Sequence, residues 1–172
     1  EPGYRTSVNE RINRMRFINL RDQPQAIATI APWHFAEWHA LFPHKTLQDF
    51  ADDLTQSLGG DAIPQTWLML DEAGAIAGTG SLLMQDMTIN QHMSPWLANI
   101  YVHPTQRGRG LGKQMVHHVM AQAVQLGVQT LYLFTEDQQA FYEKLGWQLI
   151  QRELYEGEMV SVMQWRCQRA AN

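Results

Sequence analysis

One stretch constrains this chain more than any other. In Ile100-Tyr101-Val102-His103-Pro104-Thr105-Gln106-Arg107-Gly108-Arg109-Gly110-Leu111-Gly112, an apolar run of strand character meets a proline, then glycines at alternate positions, then a helical pattern. Pro104 ends the strand, because its ring fixes φ and it has no N–H to give to a ladder. Gly108, Gly110 and Gly112 allow backbone conformations closed to other residues. They also leave no Cβ between the main-chain N–H groups and a ligand. Successive amides can then point at one spot, at the positive end of the helix that follows. Such a corner suits a phosphate or diphosphate, and Arg107, Arg109 and Lys113 add positive charge around it.

The elements on either side define the fold class. Downstream, Leu111, Met115, Val119, Ala123 and Leu126 form the apolar stripe of a helix over 111–126, which Gly127 stops. A fully apolar strand follows over 130–134, as a buried central strand requires. A short helix over 138–145 ends at Gly146, and two strands over 147–155 and 159–165 flank a turn at Glu156-Gly157. Upstream, a strand over 17–20 leads to a helix opened by Asp22-Gln23-Pro24, with Pro32 predicting a break or a late start. Thr46 caps a second helix carrying Leu47, Phe50, Leu54 and Leu58, which Gly59-Gly60-Asp61 ends. Strands over 66–70 and 75–84 pair through the turn Asp71-Glu72-Ala73-Gly74, the second weakened by Gly78 and Gly80, and a further strand covers 96–102. The order predicts one mixed α/β domain, a fair size for 172 residues. Residues 1–14 are polar and aperiodic, so we expect an extension there, with the domain proper spanning 15–172 from a natural start at Met15; an ordinary ragged terminus is the alternative.

Three kinds of phosphate-binding turn compete for the glycine segment. A Walker loop needs four residues between its glycine and Gly-Lys, then Ser or Thr. Here three residues separate Gly108 from Gly112, and Gln114 follows Lys113, so that reading fails. A dinucleotide fingerprint needs G-x-G-x-x-G, and the spacing here is G-x-G-x-G. Glu136 imitates the ribose-binding acid of that fold, but the chain closes in a hairpin rather than in further βαβ units.

The third turn carries a resemblance. Arg107-Gly108-Arg109-Gly110-Leu111-Gly112 fits R/Q-x-x-G-x-G/A, the diphosphate motif of the GCN5-related N-acetyltransferase (GNAT) superfamily. Ala140-Phe141-Tyr142-Glu143-Lys144-Leu145-Gly146-Trp147 resembles that family's A-x-x-F-Y-x-x-x-G-F, with one residue fewer after the alanine. The two motifs together cover residues 96–147. Asp137-Gln138 beside Phe141-Tyr142, and the closing hairpin, also look like the acetyltransferases that modify acidic protein N-termini such as actin's.

The resemblance implies an α/β (α+β) fold: a GNAT-type mixed, mostly antiparallel central sheet of about seven strands flanked by about four helices. It implies acetyl-CoA as cosubstrate, held by Ile100, Tyr101 and Val102 along pantetheine and by Arg107, Gly108, Arg109, Gly110, Leu111, Gly112 and Lys113 around the diphosphate. Thr135 stands where many members carry Asn and is counted with the cofactor-binding set. The implied reaction is direct attack of a primary amine, from a small molecule or a peptide N-terminus, on the thioester without an acyl-enzyme. Tyr142 matches the tyrosine the family often places by the sulfur, and its ordinary pKa of about 10 lets it serve as general acid. An oxyanion donor would come from a backbone N–H of the 96–102 strand. That strand holds no acid, so Glu136 and Asp137 are the first candidates for the base, with His103, Glu37 and His39 behind them. Trp33, Trp38, Phe42, Trp96 and Tyr155 are the expected acceptor walls. The alternative is a non-catalytic CoA-binding or sensing module with the same fold.

Other classes are excluded or disfavoured. A net charge of −4, with acids and bases mixed, argues against a nucleic-acid partner. No run of about 18 apolar residues or signal-peptide core is present, so no membrane partner is expected and a cytoplasmic location follows by default. His34 and His39 are five apart and His117-His118 adjacent, so neither pair sets two ligands on one helix face and no metal is expected. Cys167 is the sole cysteine and reads as a small strand residue rather than a nucleophile. The reading leaves room for a homodimer.

Overall fold

A computed structural model describes residues 14–167. The expectation of an extension over 1–14 therefore falls almost wholly outside the described residues. Within them the chain forms β1 (Arg16–Asn19), α1 (Ile27–Trp38), α2 (Leu47–Thr55), β2 (Gln65–Leu70), β3 (Ile76–Leu83), β4 (Trp96–Val102), α3 (Leu111–Gln125), β5 (Thr130–Thr135), α4 (Gln139–Lys144), β6 (Gln148–Tyr155) and β7 (Glu158–Arg166). The strands make one mixed sheet in the order β1-β2-β3-β4-β5-β7-β6. Every neighbouring pair is antiparallel except β4 and β5. The sheet and its helices are the architecture implied by the glycine and aromatic motifs.

The two faces of the sheet carry separate cores, and β2 shows how. Its sequence, Gln65-Thr66-Trp67-Leu68-Met69-Leu70, is almost continuously apolar because both faces are covered. Trp67 and Met69 join a core with Leu111, Met115, Val116, Val119 and Ala123 of α3. Leu68 and Leu70 point the other way, to Ile30 and Ala31 of α1 and Leu54 of α2. Leu126, expected at the end of the α3 stripe, instead caps the helix and is exposed.

Gly78 and Gly80 do not weaken β3; they permit its packing. A Cβ on Gly78 would lie 2.5 Å from the Tyr101 carbonyl oxygen. One on Gly80 would lie 2.8 Å from Met115 Cε and 2.9 Å from Val119 Cγ2. The missing side chain at Gly80 is what lets α3 lie against the sheet.

The break expected at Pro32 does not occur, and α1 runs through it. A proline at this depth removes the bond from its own nitrogen to the carbonyl of Ala28 and costs roughly 3 kcal/mol in a helix interior. Both Pro32 and Ala28 are exposed, so the freed carbonyl faces water, while Ile30, Ala31 and His34 fix the opposite side in the core.

Candidate active site

The site begins with a failure of strand pairing. β4 and β5 are parallel, and their register holds at a single pair, Trp96 with Tyr132. The Tyr132 N–H donates to the Pro95 carbonyl at 3.1 Å, just before that pair. Beyond it each strand keeps only its outer neighbour. β4 continues against β3 through Tyr101 and Val102, and β5 against β7 through Leu133, Phe134 and Thr135. The inner edge of β4, including Ile100, Tyr101 and Val102, is left without a ladder partner. An unpaired edge of this kind can bind an extended amide-bearing ligand as a strand would.

At the open end of this wedge lies the glycine turn. A 3-10 turn, Pro104–Gln106, leads from β4, capped by His103, whose Nδ1 accepts from the Thr105 N–H at 3.2 Å. Gly108 and Gly110 take φ of +84° and +73°, in the left-handed region. Gly110 is the N-cap of α3 and supplies no capping side chain. The first N–H groups of α3, at Leu111, Gly112 and Lys113, therefore have neither an intrahelical acceptor nor a side-chain cap. A Cβ at Gly108 or Gly110 would find no atom within 4 Å, so the corner is open. Arg107 is turned back over the wedge mouth: its Nε donates to the Val102 carbonyl at 2.9 Å, and its guanidinium lies 5.6 Å from the Tyr101 ring centroid. Arg109 donates to Gln106 Oε1 at 3.1 Å, and Lys113 is exposed in the first turn of α3.

Asn99, in the middle of β4, has φ of +55°, and the β3–β4 register slips by one residue there. This is a bulge, and asparagine tolerates the left-handed conformation better than other non-glycine residues. Both ends of Asn99 are fixed. Its carbonyl accepts from the Thr79 hydroxyl at 2.8 Å. Since Thr79 has one proton and gives it there, the His34 Nε2–H must donate to Thr79 Oγ1, at 2.9 Å. Its side-chain amide donates to Ser81 Oγ at 3.2 Å, in a buried chain with Thr66 and Ser57 at 2.8 Å per step. Burial pushes His34 down to about 3, so the ring is neutral and can keep this role.

On the far side of Asn99 is a cavity of about 460 Å³. Trp38, Phe42 and Tyr155 line it, and so do Phe50, Lys45, Asp53 and Asp86. Lys45 is committed: it pairs with Asp53 and lies 5.3 and 4.7 Å from the Phe42 and Phe50 ring centroids. Asp86 is different. Burial raises its carboxyl to about 7, against the pull of Lys45 and with added repulsion from Asp53.

The other expected residues fall elsewhere. Trp96 is wholly buried, with its Nε1–H donating to the Met93 carbonyl at 2.7 Å, and it does not line the cavity. Trp33 also lies outside the cavity, stacked on Tyr101 and tilted against His103 beside the wedge mouth. Tyr142 is 8% exposed, set between Phe141 and Trp147, and burial raises its hydroxyl well above the ordinary phenol range. Thr135 Oγ1 accepts from the Gln138 N–H at 3.1 Å, in the turn before α4. Glu136 and Asp137 follow β5 as exposed residues outside the cavity; Glu136 is raised first by partial burial, then by Glu158 and Asp137. Glu37 faces Arg107 at 3.8 Å, and His39 Nδ1–H donates to the Phe35 carbonyl at 2.9 Å. Burial lifts the Cys167 thiol to about 11, far from a nucleophile's range.

Sequence reasoning missed Asn99, His34's partner Thr79, and Asp86. Asp86 lies between β3 and β4, in a segment that no periodicity organises. Among the described residues no group of three or more His, Cys, Asp or Glu could hold a metal, and no helix is long and apolar enough to cross a membrane.

Comparison with known proteins agrees with this fold. Solved structures similar over nearly the whole chain include an aminoglycoside 6'-N-acetyltransferase complexed with coenzyme A (TM-score 0.71, 14% identity, 91% of this chain and 99% of that one). They also include yncA, a putative acetyltransferase from Salmonella typhimurium with acetyl-CoA (TM-score 0.66, 16% identity, 93% and 98%). A third is spermidine N-acetyltransferase from Vibrio cholerae with CoA and spermine (TM-score 0.68, 12% identity, 90% and 96%). By sequence, an uncharacterized N-acetyltransferase, ycf52, of Pyropia yezoensis is 41% identical over 49 residues, a match spanning 28% of each chain. The family model described as "Acetyltransferase (GNAT) family" matches residues 27–147, well over half of the sequence. The chain belongs to the acetyltransferase (GNAT) family.

Proposed function

We propose that residues 15–172 form one catalytic domain that transfers the acetyl group of acetyl-CoA to a primary amine by direct attack. The observation that carries this reading is the wedge: a parallel strand pair joined at one residue pair, with an uncapped helix start at its open end. The residues fit the cosubstrate, since a Cβ at Gly108 or Gly110 would meet no atom within 4 Å where a diphosphate would sit and the inner β4 edge has no ladder partner beyond Trp96. Relatives of the same fold carry acetyl-CoA or CoA in their solved structures.

When bound, acetyl-CoA supplies the activated acyl group. The chain's own residues do the rest. The amides of Leu111, Gly112 and Lys113 hold negative charge at the end of α3. The Asn99 bulge breaks the regular alternation of β4 where an oxyanion donor is required. Tyr142, protonated across the neutral range, gives a proton to the departing thiolate. The cavity beyond Asn99 receives the amine. A cytoplasmic location, expected from the sequence, remains part of the proposal.

The test is Tyr142→Phe. Free-thiol release in the presence of amines should fall by about 10²-fold or more, the usual contribution of a general acid, with acetyl-CoA affinity unchanged. A wild-type protein that binds acetyl-CoA yet turns over with no amine would mark a CoA sensor instead.

A further inference from the structure

The acceptor cavity has a charge balance that selects its ligand. Its lining holds one cation, Lys45, and two acids, Asp53 and Asp86. Lys45 is already paired with Asp53 and laid over two aromatic rings. His34 is neutral, and its Nε2–H is given to Thr79. Tyr155 places its hydroxyl under the Thr88 N–H at 3.0 Å. Among the described residues, no hydrogen bond or ion pair engages the Asp86 carboxyl. It is the one acid of the cavity left to a ligand.

The segment that carries Asp86 is held in place. Thr88 is fixed by Tyr155, and Asn90 donates to Glu153 Oε1 at 2.6 Å, so the segment is tied to β6 twice. Ser94 donates to the Met84 carbonyl at 2.6 Å, and Gln91 to the Met87 carbonyl, which close it on itself. Asp86 thus stands on a segment held in place rather than on a free loop. Around it Trp38, Phe42, Phe50 and Met87 provide an apolar wall. The volume of about 460 Å³ admits a small molecule.

We propose that Asp86 seats the acceptor's ammonium and takes a proton from it, and that the acceptor is a primary amine on a compact apolar or aromatic body without an anionic group. This rests on the acetyltransferase reading above. The ammonium arrives as R–NH₃⁺ beside the Asp86 carboxylate. One proton passes to the carboxylate, and the freed nitrogen lone pair forms the bond to the thioester carbon. The carbon–sulfur bond breaks, and sulfur leaves with its electron pair. The second nitrogen proton is lost as the amide forms, thiolate is protonated, and Asp86 returns its own proton to solvent. An amino-acid acceptor would set a carboxylate against Asp86 with Lys45 already spent. An acidic peptide terminus would do so more than once.

The test uses the full chain with acetyl-CoA, following free thiol with phenethylamine, phenylalanine and spermidine as probes. Phenethylamine should be acetylated at least about tenfold more efficiently than phenylalanine, which adds only a carboxylate. Wild-type kcat/KM should rise with pH and level off above about 7, where Asp86 is ionised. Asp86→Asn should lower kcat/KM by about 10²-fold or more and remove that limb, with acetyl-CoA affinity unchanged. Folding of the variant is checked by melting. Because the folded carboxyl is raised, the stability it contributes is present below the usual carboxylate range and lost as pH rises through about 7, so Asp86→Asn should melt above the wild type at pH 8. An Asp86→Asn protein with unchanged turnover and pH profile overturns the role of Asp86 alone. Preference for phenylalanine overturns the ligand class alone. A wild type that binds acetyl-CoA but acetylates none of the three probes overturns the proposal, and if no other amine releases thiol either, the transferase reading falls with it.

Discussion

Two helices of this protein start in opposite ways. α2 closes its own N-terminus. Thr46 Oγ1 accepts from the Asp49 N–H at 3.1 Å, and the Asp49 carboxylate accepts from the Thr46 N–H at 2.8 Å. The reciprocal pair satisfies donors that the helix cannot satisfy internally. α3 begins at Gly110 in the left-handed region and supplies no capping side chain. Its donors face an open corner at the mouth of the strand wedge. The first start serves stability. The second leaves its partial positive charge to an outside anion. The difference separates a helix that closes its own start from one whose start is open to a ligand, which the proposed function takes to be a diphosphate.

The largest effect should come from closing the open start. Gly110→Val puts a β-branched side chain in front of the amides and strains a φ of +73°, at about 1–2 kcal/mol for the backbone alone. Calorimetry should find acetyl-CoA affinity down by about 10²-fold or more, equivalent to losing roughly 3 kcal/mol of charge-assisted hydrogen bonds. The fold should survive, because a Cβ there meets no atom within 4 Å.

Moving α3 as a body should come next. Gly80→Ala drives a methyl into Val119 and Met115 and should cost about 1–3 kcal/mol of stability, read by denaturant unfolding. Acetyl-CoA affinity should fall with it, since the displaced helix carries its N-terminus away. Thr46→Ala, at the closed start, should cost about 1 kcal/mol of stability and leave acetyl-CoA affinity untouched. The smallest effect concerns pH. The bonds from Thr46 hold the Asp49 carboxyl below its usual range, with Lys45 adding to the pull. Its contribution to stability is therefore complete above that range and lost as pH falls through it. In Asp49→Asn the melting temperature should drop less steeply between pH 5 and 3 than in the wild type.

Both helix starts were legible in the sequence, because each is written in adjacent residues. Thr46 spells a cap, and the alternating glycines spell bare amides; the part Asp49 plays in that cap came only with the structure. The hairpins and the stops at Gly127 and Gly146 were legible for the same local reason. What stayed hidden depends on residues far apart in the chain. Asn99 looks like any polar residue in a strand until Thr79 and Ser81 come to hold it from 20 and 18 positions away. Gly78 and Gly80 read as defects until Tyr101 and α3 pack against them. Pro32 reads as a break until its exposed side is seen. Asp86 sits in an aperiodic segment whose shape is set by β6, 63 to 67 residues later. Trp96 shows the converse: its aromatic character invited an acceptor role, and the packing buries it completely.

The central claim is that the open start of α3 binds a diphosphate. Calorimetric titration of the wild-type protein with acetyl-CoA and with S-acetylpantetheine, which shares the thioester arm but has no diphosphate or nucleotide, tests it directly when run beside Gly110→Val. The account predicts that acetyl-CoA binds at least about 10²-fold more tightly than S-acetylpantetheine to the wild type, and that Gly110→Val erases most of this advantage. Equal affinities for the two ligands, or an advantage that persists undiminished in Gly110→Val, would contradict it.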